Sequence, residues 1–175
     1  MILFKIYYHL VAILKKILFS IVYNKHIKFG KKTTFRKGFS LVIEDNGKIE
    51  IGNNCFFNNY CSLNCKEIIH IGDNCIFGEN VKIYDHNHRF SKKDIIIKKQ
   101  GYKKEKIVIG NNCWIGSNVT ILKGVEIGDN VVVGAGCVIT DNIESNTILK
   151  NNQQYKIEKI IYKEIKNENR NIDTL

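Results

Sequence analysis

No proline occurs anywhere in the 175 residues, and Lys, Asn and Ile dominate from end to end. That is a bias of the whole chain, so a formal net charge of +10 is by itself weak evidence for a nucleic-acid or membrane partner. The chain also lacks a recognition-helix motif and the aromatic and basic sheet signature of RNA-binding domains, which argues against nucleic acid. No small-residue cleavage site follows the opening MILFKIYYHLVAILKKILFSIVY, and Lys5, Lys15 and Lys16 interrupt it. Neither a signal peptide nor a membrane span describes it well. Cysteine pairs are missing too: CSLNC has no second pair at zinc-site spacing. Acids are scarce between Arg89 and Lys106, where eight Lys or Arg meet only Asp94 and Glu105, and most of the positive excess is assigned to that segment.

What is present fits one domain with a real core, since 44% of the residues are hydrophobic. Residues 1–26 read as an amphipathic helical segment. Leu3, Ile6, Leu10, Ile13, Ile17 and Ile21 recur at three- and four-residue steps, with Lys5, His9, Ala12, Lys16 and Ser20 opposite. The apolar stripe is expected to cover the first layer of the core or a neighbouring subunit. An anionic membrane surface, met by residues 1–23, is the other destination.

From about Phe29 a period of six takes over, and internal repetition of this kind outranks local propensity. Ile51, Phe57 and Leu63 begin three hexads, Ile71, Phe77 and Ile83 three more, and Ile109, Ile115, Ile121, Ile127, Val133 and Ile139 a further six. Four positions beyond each bulky residue stands a small apolar one, such as Cys55, Cys61, Val81 or Val119, and both positions should point inward. Gly with Asn or Asp in IGNN, IGDN and IGSN reads as a corner that turns sharply and tolerates left-handed angles. Five of the six cysteines share the small inward position, so their number requires neither disulfide nor metal; Cys65 alone is out of phase. Six thiols without an export signal fit a reduced, cytoplasmic setting.

The rhythm breaks at KIYDHNHRF. Ile83 starts a hexad, Asp85, His86, Asn87 and His88 follow, and regular hexads resume only at Ile109. By phase Asn87 falls on the inward position and His88 on the outward one, like Trp114. His70 precedes His88 by eighteen residues, one full coil, which would stack the two imidazoles on one face. An imidazole suits proton transfer near neutral pH, and Asp85, His86 or Asn87 are each placed to assist His88. Three histidines, His70, His86 and His88, also raise the reading of a zinc protein.

Twelve hexads closing on IGNNCWIGSNVTILKGVEIGDNVVVGAGCVIT resemble the hexapeptide-repeat acyltransferases, in particular the galactoside, maltose and surface-polysaccharide O-acetyltransferases, over Ile49 to Leu149. The resemblance implies an all-β fold, a left-handed parallel β-helix over 27–149 with an excursion loop at 89–106. It also implies a homotrimer with sites between subunits and acetyl-CoA as acyl donor, with no metal. It places the catalytic base at His88, with Asp85 and His86 beside it. Acceptor-binding positions fall on Asn58, with Asn59 and His70 as neighbours. Trp114 falls on a wall of the acetyl-CoA tunnel, the Ser117 amide where a thioester carbonyl is held, and Ala135 where the pantetheine arm passes. The usual TKD and AGNPAK endings are replaced here by TDN and LKNNQQ, which leaves Lys150 and Lys156 as candidates for the CoA phosphates. In residues 150–175, Ile157, Ile160, Ile161 and Ile165 predict a short helix before a polar tail.

The activity so implied is acetyl transfer from acetyl-CoA to a sugar hydroxyl in capsule or cell-surface glycan assembly, in the cytoplasm or at the inner face of the membrane. Three alternatives stay open: an N-acetyltransferase on a nucleotide-linked amino sugar, a gamma-carbonic-anhydrase-like zinc protein, and a non-catalytic scaffold. The basic excursion admits CoA phosphates, an acidic glycan or plain solvent, while Ile95, Ile96 and Ile97 within it call for a packing partner such as a neighbouring subunit.

Overall fold

A computed structural model describes residues 2–152, 158 and 159; the C-terminal helix expected beyond Tyr155, and Lys156, lie outside the described residues. Three parallel sheets wrap the chain into a β-solenoid of about five turns. The first face carries Ile27–Phe29, Lys48–Ile51, Ile68–Ile71, Ile107–Ile109 and Glu126–Ile127. Thr34–Phe35, Phe56–Phe57, Ile76–Phe77, Trp114–Ile115, Val132–Val133 and Ile148–Leu149 make the second. Ser40–Ile43, Ser62–Cys65, Lys82–Tyr84, Thr120–Leu122 and Val138–Ile139 make the third.

Register places like on like. Ile51, Ile71, Ile109 and Ile127 pair in one file, and Leu63, Ile83, Ile121 and Ile139 in another. These residues are all buried, as are the small Cys55, Cys75, Cys113 and Val131 four positions beyond the first file, each bulky one contributing roughly 1.5–3 kcal/mol of burial. Phe57 stacks on Phe77 with ring centroids 4.3 Å apart. An additional coil, Phe29, Phe35 and Leu41, precedes the first hexads read from the sequence, with the same spacing of six.

The corners divide the work differently from the expectation. The left-handed residue is the Asn that precedes the small inward position, such as Asn74 (φ 59°), Asn112 (φ 55°) or Asn118 (φ 59°), and its amide bonds to the Asn of the next coil, as Asn112 does to Asn130 at 2.8 Å. Gly72 takes no such angle; a Cβ there would lie 2.8 Å from the carbonyl of Gly110, so close stacking of coils requires it.

The N-terminal helix, Ile2–Tyr23, caps the first coil with the face opposite to the one expected. Ala12 is buried, and Phe19 packs on Phe35 and Phe39 with centroids 6.4 and 6.3 Å away. Leu10, Ile13, Ile17 and Ile21 are exposed instead. The reason is the open end of the solenoid. In the second coil the carbonyls of Cys55 and Cys61 accept from the amides of Thr34 and Ser40; their counterparts in the first coil, Thr33 and Phe39, have no preceding coil. Lys16 donates to the Thr33 carbonyl at 2.9 Å and Lys15 to that of Phe39 at 3.2 Å. Unpaired edge carbonyls need donors, which a purely apolar stripe does not supply.

Candidate active site

Insertions collect at one vertex of the triangle, between the third and first faces. A clean hexad takes six residues, as from Ile121 to Ile127, whereas the chain needs ten from Leu41 to Ile51, eight from Leu63 to Ile71 and twenty-six from Ile83 to Ile109. The longest insertion leaves the solenoid as an antiparallel hairpin of His86–His88 with Tyr102–Lys104.

Asp85 sits at the root of that hairpin with 0% exposure. Its carboxylate accepts from the amides of Lys66, at 2.9 and 3.0 Å, and Glu67, at 2.7 Å, and lies 2.8 Å from Nδ1 of His86. A carboxylate only accepts, so the His86 Nδ1 carries the proton and donates it, leaving Nε2 with its lone pair free. The His86 side chain is 16% exposed. Asp85 therefore occupies the inward position expected for Asn87, which is exposed, and the acid placed beside His88 serves His86.

Tyr102 joins the group from across the hairpin. Its ring meets His86 edge-on, with centroids 5.2 Å apart and planes at 86°, and lies 4.5 Å from His88. Lys66 Nζ sits 4.2 Å from the centroid of the same ring and 2.5 Å from Glu44. Burial works against this ammonium, but the hydrogen bond and charge of Glu44 outweigh it and raise the Lys66 pKa above the ordinary lysine value. His88 is exposed, and its one ring–ring contact among the described residues is with Tyr102. The expected stack of His70 on His88 is absent, because the hairpin takes His88 out of the coil: His70 pairs with Glu50 and Val108 on the first face, 3.6 Å from the Glu50 carboxylate. Among the described residues no three His, Cys, Asp or Glu side chains form a metal-binding group. Sequence pattern does not single out Lys66 or Tyr102: Lys66 lies in an insertion only two residues longer than a clean hexad, and Tyr102 in a segment without periodicity.

A second set of residues occupies the vertex between the second and third faces. Trp114 stands outward on the second face, 57% exposed, between Ile76 and Val132. Ser117 and Ala135 stack one coil apart at the corner, and neither backbone N–H has an acceptor among the described residues. Asn58 and Asn59 belong to this vertex as well. The Asn58 side-chain oxygen accepts from the Asn59 backbone N–H at 2.9 Å and from Arg36 at 3.3 Å, and the Asn59 side chain donates to Glu79 at 3.0 Å. Lys150 is exposed past the last strand. Within one chain the structure thus groups Trp114, Ser117, Ala135, Asn58 and Asn59 apart from His86 and His88, which stand at the other vertex.

A family model described as bacterial transferase hexapeptide (six repeats) matches residues 106–141, the coils that carry Trp114 and Ser117. The six-residue repeat that the family model describes thus runs through those coils. Among solved structures, the hexapeptide-repeat protein resembles a galactoside acetyltransferase in complex with coenzyme A, with 32% identity over 70% of this chain and 61% of that one and a TM-score of 0.55. A hexapeptide-repeat acetyltransferase of Vibrio cholerae O1 biovar eltor, complexed with acetyl coenzyme A, matches at 26% identity over 71% of this chain and 66% of that one, TM-score 0.61. An N-acyltransferase of Bacillus cereus in complex with dTDP and 3-hydroxybutyryl-CoA shares the fold at 20% identity, covering 72% and 68% of the two chains, TM-score 0.63. The match spans less than two thirds of the galactoside and Vibrio enzymes. No curated protein sequence matches the chain significantly.

Proposed function

We propose that this protein is an acetyl-CoA-dependent O-acetyltransferase that acylates a sugar hydroxyl in capsule or surface-glycan assembly. The observation that carries the reading is the hydrogen bond from His86 Nδ1 to buried Asp85 at 2.8 Å: it holds one imidazole with Nε2 outward at the vertex where a solenoid of acetyltransferase type is interrupted. The geometry favours His86 over His88 as the base, because among the described residues the His88 ring has no hydrogen-bonding partner to fix its tautomer.

In the reaction, Nε2 of His86 takes the proton of the acceptor hydroxyl as its oxygen attacks the thioester carbonyl. The C–S bond then breaks, and the imidazolium returns a proton to the departing CoA thiolate. Such a base contributes roughly 10²–10⁴-fold, and its pairing with Asp85 stabilises the imidazolium that forms. The unengaged N–H of Ser117 is suited to the oxyanion, with Trp114 and Ala135 along the path of the pantetheine arm. These groups and His86 occupy different vertices of one chain, so a complete site needs a second copy whose Ser117 vertex faces the His86 vertex. A homotrimer supplies this three times. Acetyl-CoA as donor is supported by the CoA and acetyl-CoA complexes of the relatives, and a sugar acceptor by the galactoside enzyme.

The test is CoA release from acetyl-CoA over a panel of nucleotide sugars, amino sugars and acidic glycans, comparing wild type with His86→Ala and His88→Ala. Turnover lost in His86→Ala and kept in His88→Ala supports the assignment; the reverse result returns the base to His88. Turnover only with amino sugars makes it an N-acetyltransferase, and none with any acceptor favours a scaffold.

A further inference from the structure

The helix that closes the solenoid presents its apolar side to the outside. Leu10, Ile13, Leu14, Ile17, Leu18 and Ile21 are all at least half exposed, Leu14 at 67% and Ile21 at 73%, and at ~100° per residue they fall on one side of the helix. No described part of the chain covers them. A stripe of that size left in water is a docking surface for something.

Charge identifies the partner. Residues 1–43 contain nine Lys or Arg and not one Asp or Glu, while the remaining 132 residues hold eighteen Lys or Arg against seventeen acids. The excess of the whole protein therefore resides at the helix end, and the basic excursion at 89–106 is balanced by acids elsewhere. Lys25, Lys28, Lys31, Lys32 and Lys37 are exposed on the coil that the helix covers, and none of them forms an ion pair among the described residues. An apolar helix face surrounded by cations that form no ion pair among the described residues, on a stretch of chain without an acid of its own, is complementary to an anionic phospholipid bilayer, which offers hydrocarbon beneath a negative surface.

We infer that the outward face of the N-terminal helix and the cations of the first coil form a docking surface for anionic lipid bilayers, on which the helix lies flat. Ile6–His26 is apolar enough to cross a membrane. Spanning, however, would strip Lys15 and Lys16 from the carbonyls of Phe39 and Thr33 and carry both into hydrocarbon. Lying flat keeps those bonds, keeps Ala12 and Phe19 on the solenoid, and buries only the face that is free. The solenoid axis then rises from the bilayer, with His86 leaving the third coil, two beyond the one that the helix caps. This surface is independent of the proposed chemistry.

The full chain is mixed with vesicles of phosphatidylcholine alone or of equimolar phosphatidylglycerol and phosphatidylcholine, and bound protein is measured by sedimentation. The expected result is binding at least ~10-fold stronger to the anionic vesicles, weakened by salt. Leu14→Glu with Leu18→Glu should lower it ~10-fold or more, and Lys28→Gln with Lys31→Gln and Lys32→Gln several-fold, with thermal midpoints and vesicle-free acetyl transfer unchanged. Absence of binding by the wild type, or equal binding to neutral vesicles, overturns the inference. So does resistance to an alkaline wash, which would mean a spanning helix, or a fall in solution mass in the leucine variant, which would mean that the face joins copies of this chain.

Discussion

Two vertices of the same triangle show how one repeat accommodates two tasks. Between the second and third faces the hexads run without insertion, and beside Trp114 and Asn58 the vertex offers backbone: the amides of Ser117 and Ala135, which have no acceptor among the described residues. Between the third and first faces the chain inserts up to a whole hairpin, and what that vertex offers is side chains: Asp85, His86, Tyr102 and Lys66. A regular coil cannot bury an acid, since its inward positions face an apolar stack. Asp85 is tolerated because the break frees the amides of Lys66 and Glu67 to satisfy it.

The largest test of this contrast is at the interrupted vertex. His86→Ala should lower kcat/KM by ~10²–10⁴-fold, whereas His88→Ala, two residues away, should cost less than about threefold; a steady-state comparison on one acceptor decides it. Next comes backbone crowding. At the regular vertex a Cβ on Gly116 would lie 2.7 Å from the Ala135 nitrogen and 2.8 Å from the Val133 carbonyl oxygen, so Gly116→Ala should destabilise by about 2–3 kcal/mol. In the hairpin loop Gly101 has nothing within 4 Å but a φ of +76°, and Gly101→Ala should cost only about 1 kcal/mol. Equal losses in chemical denaturation would erase the distinction.

An effect confined to alkaline pH concerns the buried thiols. Burial pushes Cys61, at the regular vertex, up to about 11 and Cys65, beside the interrupted one, up to about 12. Both donate to main-chain carbonyls, so they keep their protons while the unfolded chain loses its own. For a pKa raised by folding, this stability is intact below the ordinary thiol value near 9 and declines as pH rises through the folded one. Unfolding free energy should fall by ~1.4 kcal/mol per thiol per pH unit in that window, and Cys61→Ala should flatten the decline; a pH-independent denaturation midpoint up to pH 11 would refute it. The smallest effect is at the hairpin root, where hydrogen bonds from Lys103 and Lys123 hold the Glu105 pKa below the usual glutamate range. A lowered carboxylate stabilises above its unfolded pKa and stops doing so as pH falls through the folded one. The small destabilisation by Glu105→Gln should accordingly be seen at neutral pH and vanish in acid.

Much of this was written in the order of the residues. A period of six in Ile, Leu and Phe admits only a packing in which every sixth side chain meets its own kind, so solenoid, core and the site of its interruption at Tyr84–Phe90 are all legible without coordinates. Local phase stops being informative once the chain leaves the repeat. Extrapolated through the break, it predicted Asn87 inward and His70 over His88; the hairpin cancelled both, because antiparallel pairing with Tyr102–Lys104 sets its own register.

The N-terminal helix failed for a related reason. Its periodicity located two faces correctly, but the choice of which one packs depends on what waits at the solenoid's end. That end shows bare carbonyls along with aromatic rings, so the face bearing Lys15, Lys16 and Phe19 won over the richer apolar one. The repeat, its core and its point of rupture belong to the sequence alone, because they follow from spacing between neighbours in the chain. Which histidine meets the buried acid, and which side of the helix meets water, were decided by tertiary structure, because unsatisfied polar groups brought in from distant residues outweigh any local pattern.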